Sequence, residues 1–306
     1  MIILIVYHKN MKISILTATY NREKYLKKLY ESIKLNIQAK TGLECEWIVV
    51  DDGSSDGTKN IIENFINEKK VSIKYYYQEN SGKMAAINKA VESAEGDLII
   101  DCDSDDYFPD NAFKIIQSYS KILLSNPNLY ALAFLKKDES GKISGKKFTN
   151  INKPTKMFNL YFKEDIEGEK ILLYNSNIRK KYKHELEENE NFITEARMYH
   201  KMDDKYKIIC VNEAIEIGSY IQDGYTQNIN KIFKKSPKGY YCYFKEILQK
   251  DMKGVLMQKR IYAIKHYILF GYLSKKKFDA KSIKGFFNKL IYTFLYIPGI
   301  IKSKRF

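Results

Sequence analysis

Residues 97–109 read Asp-Leu-Ile-Ile-Asp-Cys-Asp-Ser-Asp-Asp-Tyr-Phe-Pro. The apolar run is too short for a helix and suits a strand over 97–101, buried on both faces. It ends in four carboxylates within six residues: Asp101, Asp103, Asp105 and Asp106. Like charges this close repel one another, and a divalent cation relieves the repulsion. All-oxygen ligands suit Mg2+ or Mn2+, which complete their shells with water and a substrate diphosphate. An acidic surface loop is the plain alternative, but such loops rarely follow an apolar strand so abruptly. Pro109 predicts the start of a helix running to about residue 124.

Two other readings of the acidic run fail on its letters. A calcium loop requires Gly where Asp106 stands and Glu where Ala112 stands. A phosphatase of the haloacid-dehalogenase type requires Thr or Val where Asp105 stands.

Outward from this strand, apolar runs and helical patterns alternate. Strands are expected over 12–18, 46–50, 72–77 and 129–135, and helices over 22–38, 56–69 and 82–94. The alternation predicts an α/β fold, a Rossmann-like, mostly parallel sheet with helices on both faces. Ligands of such sheets bind beyond the carboxyl ends of the strands. Thr19, Tyr20 and Asn21 follow the first strand, Asp51 and Asp52 follow the second, and the acidic run follows the fourth. Beyond residue 140 the pattern changes: a hairpin over 138–147, a mixed polar stretch over 151–190, a helix over 191–202, one or two strands over 207–220, then helices.

The loop Asp51-Asp52-Gly53-Ser54-Ser55-Asp56-Gly57-Thr58 has the composition of a tight turn that caps a helix. Turn chemistry does not require two adjacent acids at a strand end. A carboxylate there accepts from a uracil N–H or from ribose hydroxyls. In Asn80-Ser81-Gly82-Lys83, a glycine at a helix start lets backbone N–H groups approach a phosphate, and Lys83 adds a point charge. Asn88 follows about one and a half turns later.

These motifs in this order resemble family 2 glycosyltransferases of the GT-A fold. The resemblance is dense over about 12–125. It is looser to about 225, where Glu167-Gly168-Glu169-Lys170, Phe192-Ile193-Thr194-Glu195-Ala196 and Val211-Asn212-Glu213-Ala214 resemble one bacterial subgroup making surface polysaccharide. It implies an inverting transferase that uses a nucleotide-sugar, usually a UDP-sugar, with Mn2+ or Mg2+. It implies that Thr19, Tyr20, Asn21, Asp51 and Asp52 hold the nucleoside. Gly82, Lys83 and Asn88 would line the diphosphate or donor sugar. Asp103-Ser104-Asp105 would be the DxD motif, Asp103 and Asp105 the metal ligands, and Asp106 would reach a donor-sugar hydroxyl. Many relatives carry Glu-Asp near the acceptor, and this chain has Glu195-Ala196, which makes Glu195 the candidate base. The implied acceptor is a lipid-linked (polyprenyl) or growing surface glycan. Nucleotidyl transfer also uses paired carboxylates and a metal, but no Gly-rich basic N-terminal triphosphate signature is present. A non-catalytic sugar-nucleotide-binding relative is the other alternative, suggested by Ala196.

The composition sets the frame. The chain has 306 residues, is 44% hydrophobic and carries a net charge of +15. It can bury a large core, which excludes general disorder. The charge is uneven: residues 231–306 hold 19 basic and 3 acidic residues, whereas residues 1–230 hold 33 and 34. The tail also holds 16 aromatics, all Phe or Tyr, and residues 285–301 are nearly all apolar. It fits an interfacial anchor on an anionic membrane surface, a helical subdomain packed on the core, or, least well given the acidic strand ends, a nucleic-acid binder. The anchor reading places the protein in the cytoplasm, peripheral on the inner face of the plasma membrane. Four scattered cysteines and four histidines without ligand spacing argue against a disulfide scaffold and a zinc site. The domains expected are a GT-A domain over 11–225, with a nucleotide half to about 125 and an acceptor half beyond, then a helical region over 226–306. Residues 1–10 read as an extension or a mis-assigned start, with Met11 the alternative.

Overall fold

A computed structural model describes residues 11–218, 229–276 and 280–303. The expected N-terminal extension, residues 219–220 of the last expected strand, and Lys277, Lys304 and Arg305 of the basic tail lie outside them.

The elements run β1 (Lys12–Thr19), α1 (Glu23–Gln38), β2 (Glu44–Asp51), α2 (Thr58–Glu68), β3 (Ser72–Tyr77), α3 (Lys83–Ser93), β4 (Leu98–Asp101), α4 (Ala112–Ser125) and β5 (Leu129–Asp138). They continue with β6 (Pro154–Thr155), α5 (Met157–Phe162), β7 (Lys170–Asn175), α6 (Ser176–Arg179), α7 (Glu195–Met202) and β8 (Lys207–Gly218). Four helices follow: α8 (Ile229–Lys235), α9 (Pro237–Gln249), α10 (Met257–Leu273) and α11 (Phe286–Ser303).

Among the described residues eight strands form one sheet, in the order β3-β2-β1-β4-β7-β5-β8-β6. β3, β2, β1 and β4 are parallel, as the alternation predicts. β5 and β8 are parallel as well, so the sheet is mostly parallel as expected, and only β7 and the short β6 run against the rest. β7 enters between β4 and β5 and runs antiparallel to both. It lies in the stretch read as mixed and polar, yet all six of its residues are buried. Its apolar core is four residues long, between Glu-Gly-Glu-Lys and Asn-Ser-Asn, and so carries no period of its own. Lys170 is accommodated because its ammonium donates to the carbonyls of Ser144, Lys146 and Glu167.

Alternate residues of the strands build two cores. Ile13, Ile15, Trp47 and Val49 face Leu29, Tyr30 and Ile33 of α1 on one side. Leu16, Ile48 and Val50 face Ala86, Ile87 and Ala90 of α3 on the other. α4 begins at Ala112, three residues after the position predicted from Pro109. Buried Asn36 of α1 explains the delay: its amide donates to the Pro109 carbonyl and accepts from the Phe113 N–H, holding 109–111 in a turn.

A third core joins α9, α10 and α11 to Phe158 and Phe162 of α5. α9 is locked to α7, where Arg197 forks onto Glu246 with Nε and Nη2 at 3.0 and 2.8 Å. Glu190 accepts from the N–H groups of Lys238 and Gly239 at the start of α9, where the helix dipole favours an anion. Most of the basic tail is therefore a packed helical unit.

Candidate active site

The site is built where strands end. β4 delivers Asp101 and the turn after it, closed by the Asp106 N–H on the Asp103 carbonyl. The start of α3 delivers Lys83, the approach to β7 delivers Glu169, and the start of α7 delivers Glu195. These side chains, with Tyr174 and Tyr199, line one cleft.

Lys83 is its hub. Its ammonium lies 2.7 Å from Asp103 and 3.2 Å from Glu195. Burial opposes the lysine's charge, but Asp103 and Glu195 outweigh it and hold its pKa well above the usual value. Glu195 sits in the first turn of α7, capped by Thr194. It also accepts from the Tyr199 hydroxyl at 2.7 Å. Burial works against the ionised carboxylate, yet Lys83 and Tyr199 overcome it and pull its pKa down to about 2.

A second cation stands at the other end of the acidic run. Buried Lys136, at the end of β5, pairs with Asp106, with Glu169 at 3.0 Å and with Glu216 at 3.3 Å. Burial opposes its charge, and Glu216, Glu169 and Asp106 raise its pKa nonetheless. Asp101 is pushed up to about 6, chiefly by burial and against the pull of Arg179. Burial and Asp103 together push Asp105 upward.

The donor set fits an oxygen-loving cation. Asp103, Asp106 and Glu169 each offer an oxygen, and these lie within 4.8 Å of one another. Of the expected pair this group contains Asp103, and Asp106 and Glu169 complete it. The turn that returns Asp106 beside Asp103 accounts for its inclusion.

The other expected residues are placed as follows. Thr19 is buried with its hydroxyl unpartnered among the described residues, at the carboxyl end of β1. Tyr20 is half exposed beside it. Asn21, at φ +51°, accepts from the Ser55 and Asp56 N–H groups and fixes the neighbouring loop. Both oxygens of Asp51 are engaged, by the Ser54 N–H and the Tyr75 hydroxyl. Asp52 accepts from Gln78, Ser81 and Gly82. These two acids thus shape the rim in this conformation. The Gly82 N–H donates to the Asp52 carboxylate at 2.8 Å. Asn88 forms a two-way clamp with the His184 backbone, its amide donating to the carbonyl and accepting from the N–H.

Gly82 is also required by packing. Its φ is +93°, and a Cβ there would lie 2.0 Å from the Asn191 carbonyl oxygen. The segment leading to Glu195 crosses directly over it. Gly82→Ala is expected to lower stability by about 2 kcal/mol or more in urea unfolding, because both strain and overlap are imposed. An unchanged midpoint would contradict this packing.

The sequence alone does not single out Lys136, Glu216 or Tyr199, and Glu169 stands out there only within the Glu-Gly-Glu-Lys stretch. Lys136 and Glu216 carry a usable signal: each is a charge at the carboxyl end of an apolar strand, as Asp51 and Asp101 are.

The chain is similar to known proteins in sequence and in fold. The sequence profile described as Glycosyl transferase family 2 matches residues 14–183. Poly(ribitol-phosphate) beta-N-acetylglucosaminyltransferase TarS of Staphylococcus aureus is 34% identical over 119 residues, covering 37% of this chain and 20% of that protein. Putative glycosyltransferase EpsH of Bacillus subtilis is 35% identical over 107 residues, covering 35% of this chain and 30% of that protein. The matches thus span about a third or less of those relatives. The crystal structure of S. aureus TarS superposes with a TM-score of 0.58 at 21% identity, over 96% of this chain and 49% of that one. A mannosyltransferase from Pyrobaculum calidifontis in complex with GDP-Man and Mn2+ superposes at 0.56 and 14% identity, over 95% and 83% of the two chains. These likenesses fix the fold as GT-A. Since the profile spans more than half of the chain, including β1 to β4 and the acidic run that ends them, the protein belongs to glycosyl transferase family 2.

Proposed function

We propose that this chain transfers a sugar from a nucleotide-sugar, most simply a UDP-sugar, to a hydroxyl of a lipid-linked or growing surface glycan, with inversion at the anomeric carbon. The observation that carries the proposal is Lys83, one cation bridging the donor-side carboxylate Asp103 and the acceptor-side carboxylate Glu195 in a single cleft. TarS of S. aureus has been solved in complex with UDP-GlcNAc, which supports the donor class.

In this reading Thr19, Tyr20 and Asn21, with the rim shaped by Asp51 and Asp52, receive the nucleoside. Asp103, Asp106 and Glu169 would hold Mn2+ or Mg2+ with Asp105 beside them. When bound, such an ion supplies positive charge to the departing diphosphate. Lys83 contributes a second positive charge there and turns away from Glu195 as it does so. Glu195, oriented by Tyr199, then accepts the proton of the acceptor hydroxyl. The new bond forms between the acceptor oxygen and the anomeric carbon, while the bond from that carbon to the diphosphate oxygen breaks. Nucleoside diphosphate leaves from the opposite face. A lipid-linked acceptor places the reaction at the inner face of the plasma membrane, with the protein peripheral to it.

Calorimetric titration with UDP tests the donor half of the proposal. One-site binding is expected, strengthened about tenfold or more by Mn2+ through the acidic cluster. Absence of UDP binding with and without Mn2+ would contradict it.

A further inference from the structure

α11 is apolar around its circumference, a pattern that belongs to helices covered on every side. One side is covered. Tyr292, Leu295 and Ile300 join the third core, and a Cβ on Gly299 would lie 2.9 Å from Ile268 of α10. The other side faces solvent. Phe286 is 83%, Phe294 73% and Ile297 69% exposed, with Leu290 and Ile301 in line with them. Their spacing runs a straight stripe along the helix. Lys284 and Lys289 are exposed beside it, and residues 280–306 contain no Asp or Glu.

We propose that the outer face of α11 is a docking surface for an anionic lipid layer, lying flat at the headgroup boundary with its lysines toward the phosphates. Charge selects this occupant over a second copy of the chain. Two such stripes packed together would bring lysines to lysines with no acid on either helix to answer them. No helix among the described residues is long and apolar enough to cross a membrane, so the face lies on the layer. The connection to the cleft is direct: α11 packs on α10, α10 on α9, and α9 is tied by Glu246 to α7, which begins at Glu195. Docking would bring the cleft to the lipid-linked acceptor, and to that extent the inference rests on the proposed function.

Flotation of the full chain with vesicles tests it, using equal parts phosphatidylglycerol and phosphatidylcholine, or phosphatidylcholine alone. Wild type is expected to float with the anionic vesicles and much less with the neutral ones. The variant Phe286→Ser/Phe294→Ser/Ile297→Ser is expected to lose about tenfold or more of its partitioning, with its unfolding midpoint and nucleotide release unchanged. Equal flotation of the variant and wild type would overturn the inference. So would equal flotation on both vesicle types, or a stripe-dependent dimer that binds neither. Stripe-dependent flotation in a protein that releases no nucleotide would sink the proposed function and leave the docking surface standing.

Discussion

Glu195→Gln is expected to lower turnover by about a hundredfold or more while donor KM changes only a few-fold. The amide keeps the size of the side chain and can still bond to Tyr199, so the fold and the cleft should survive. It cannot accept the proton of the attacking hydroxyl. With Lys83 beside it Glu195 is a weak base, because Lys83 and Tyr199 outweigh burial and hold its pKa down to about 2. It gains strength only when Lys83 turns to the donor's phosphates. The sign follows for pH. A carboxylate that loses its neighbouring cation has a higher pKa, so Lys83→Met should bring an acid limb of kcat/KM into view at a higher pH than in wild type. An unmoved acid limb would separate Lys83 from the base. A few-fold effect of Glu195→Gln would turn attention to Glu169. Of the other carboxylates nearby, Asp165 is paired with Lys259 at 2.6 Å, outside the cleft lining, and Glu167 is likewise absent from that lining.

Asp103→Ala is expected to have the larger effect on the donor side. It removes the residue shared by the three-carboxylate group and by the Lys83 pair. Transfer should fall by about a thousandfold or more, and the Mn2+ enhancement of UDP binding should disappear. Asp105→Ala separates two ligand arrangements. If the family's spacing rules, it abolishes transfer as Asp103→Ala does. If the geometry of Asp103, Asp106 and Glu169 rules, Glu169→Gln weakens Mn2+-dependent binding more than Asp105→Ala does. Wild-type turnover of Asp103→Ala would remove the metal-binding role altogether. Asp106 is a less clean test, because removing it leaves buried Lys136 short of a partner, and breaking a buried pair costs about 3–5 kcal/mol by itself.

The nucleotide half was legible because its strands announce themselves. Each of β1, β2 and β4 is an apolar run ending in polar or acidic residues, and parallel strands place those ends on one rim. The acceptor half was not. β7 has too few apolar residues to show a period, and its antiparallel place between β4 and β5 is set by tertiary pairing. Lys136, Glu169 and Glu216 come together from three separate segments, so no local spacing connects them. Gly82 and Asn88 also make long-range contacts that no local pattern announces. Gly82 lets the 191 segment cross and Asn88 clamps residue 184, contacts about a hundred residues apart in sequence. The tail shows the same limit. Its composition fits both a packed subdomain and an anchor, and the structure packs α9, α10 and the inner side of α11 while leaving the outer side of α11 exposed.

Nucleotide release from a panel of nucleotide-sugars, with Mn2+ and again after chelation by EDTA, tests the central claim most directly. The account predicts release of UDP from at least one UDP-sugar, dependent on the metal and abolished in Glu195→Gln and Asp103→Ala when an acceptor glycan is supplied. Binding of UDP-sugars without release, in the presence of acceptor and metal, would contradict it and identify the chain as a non-catalytic member of its family.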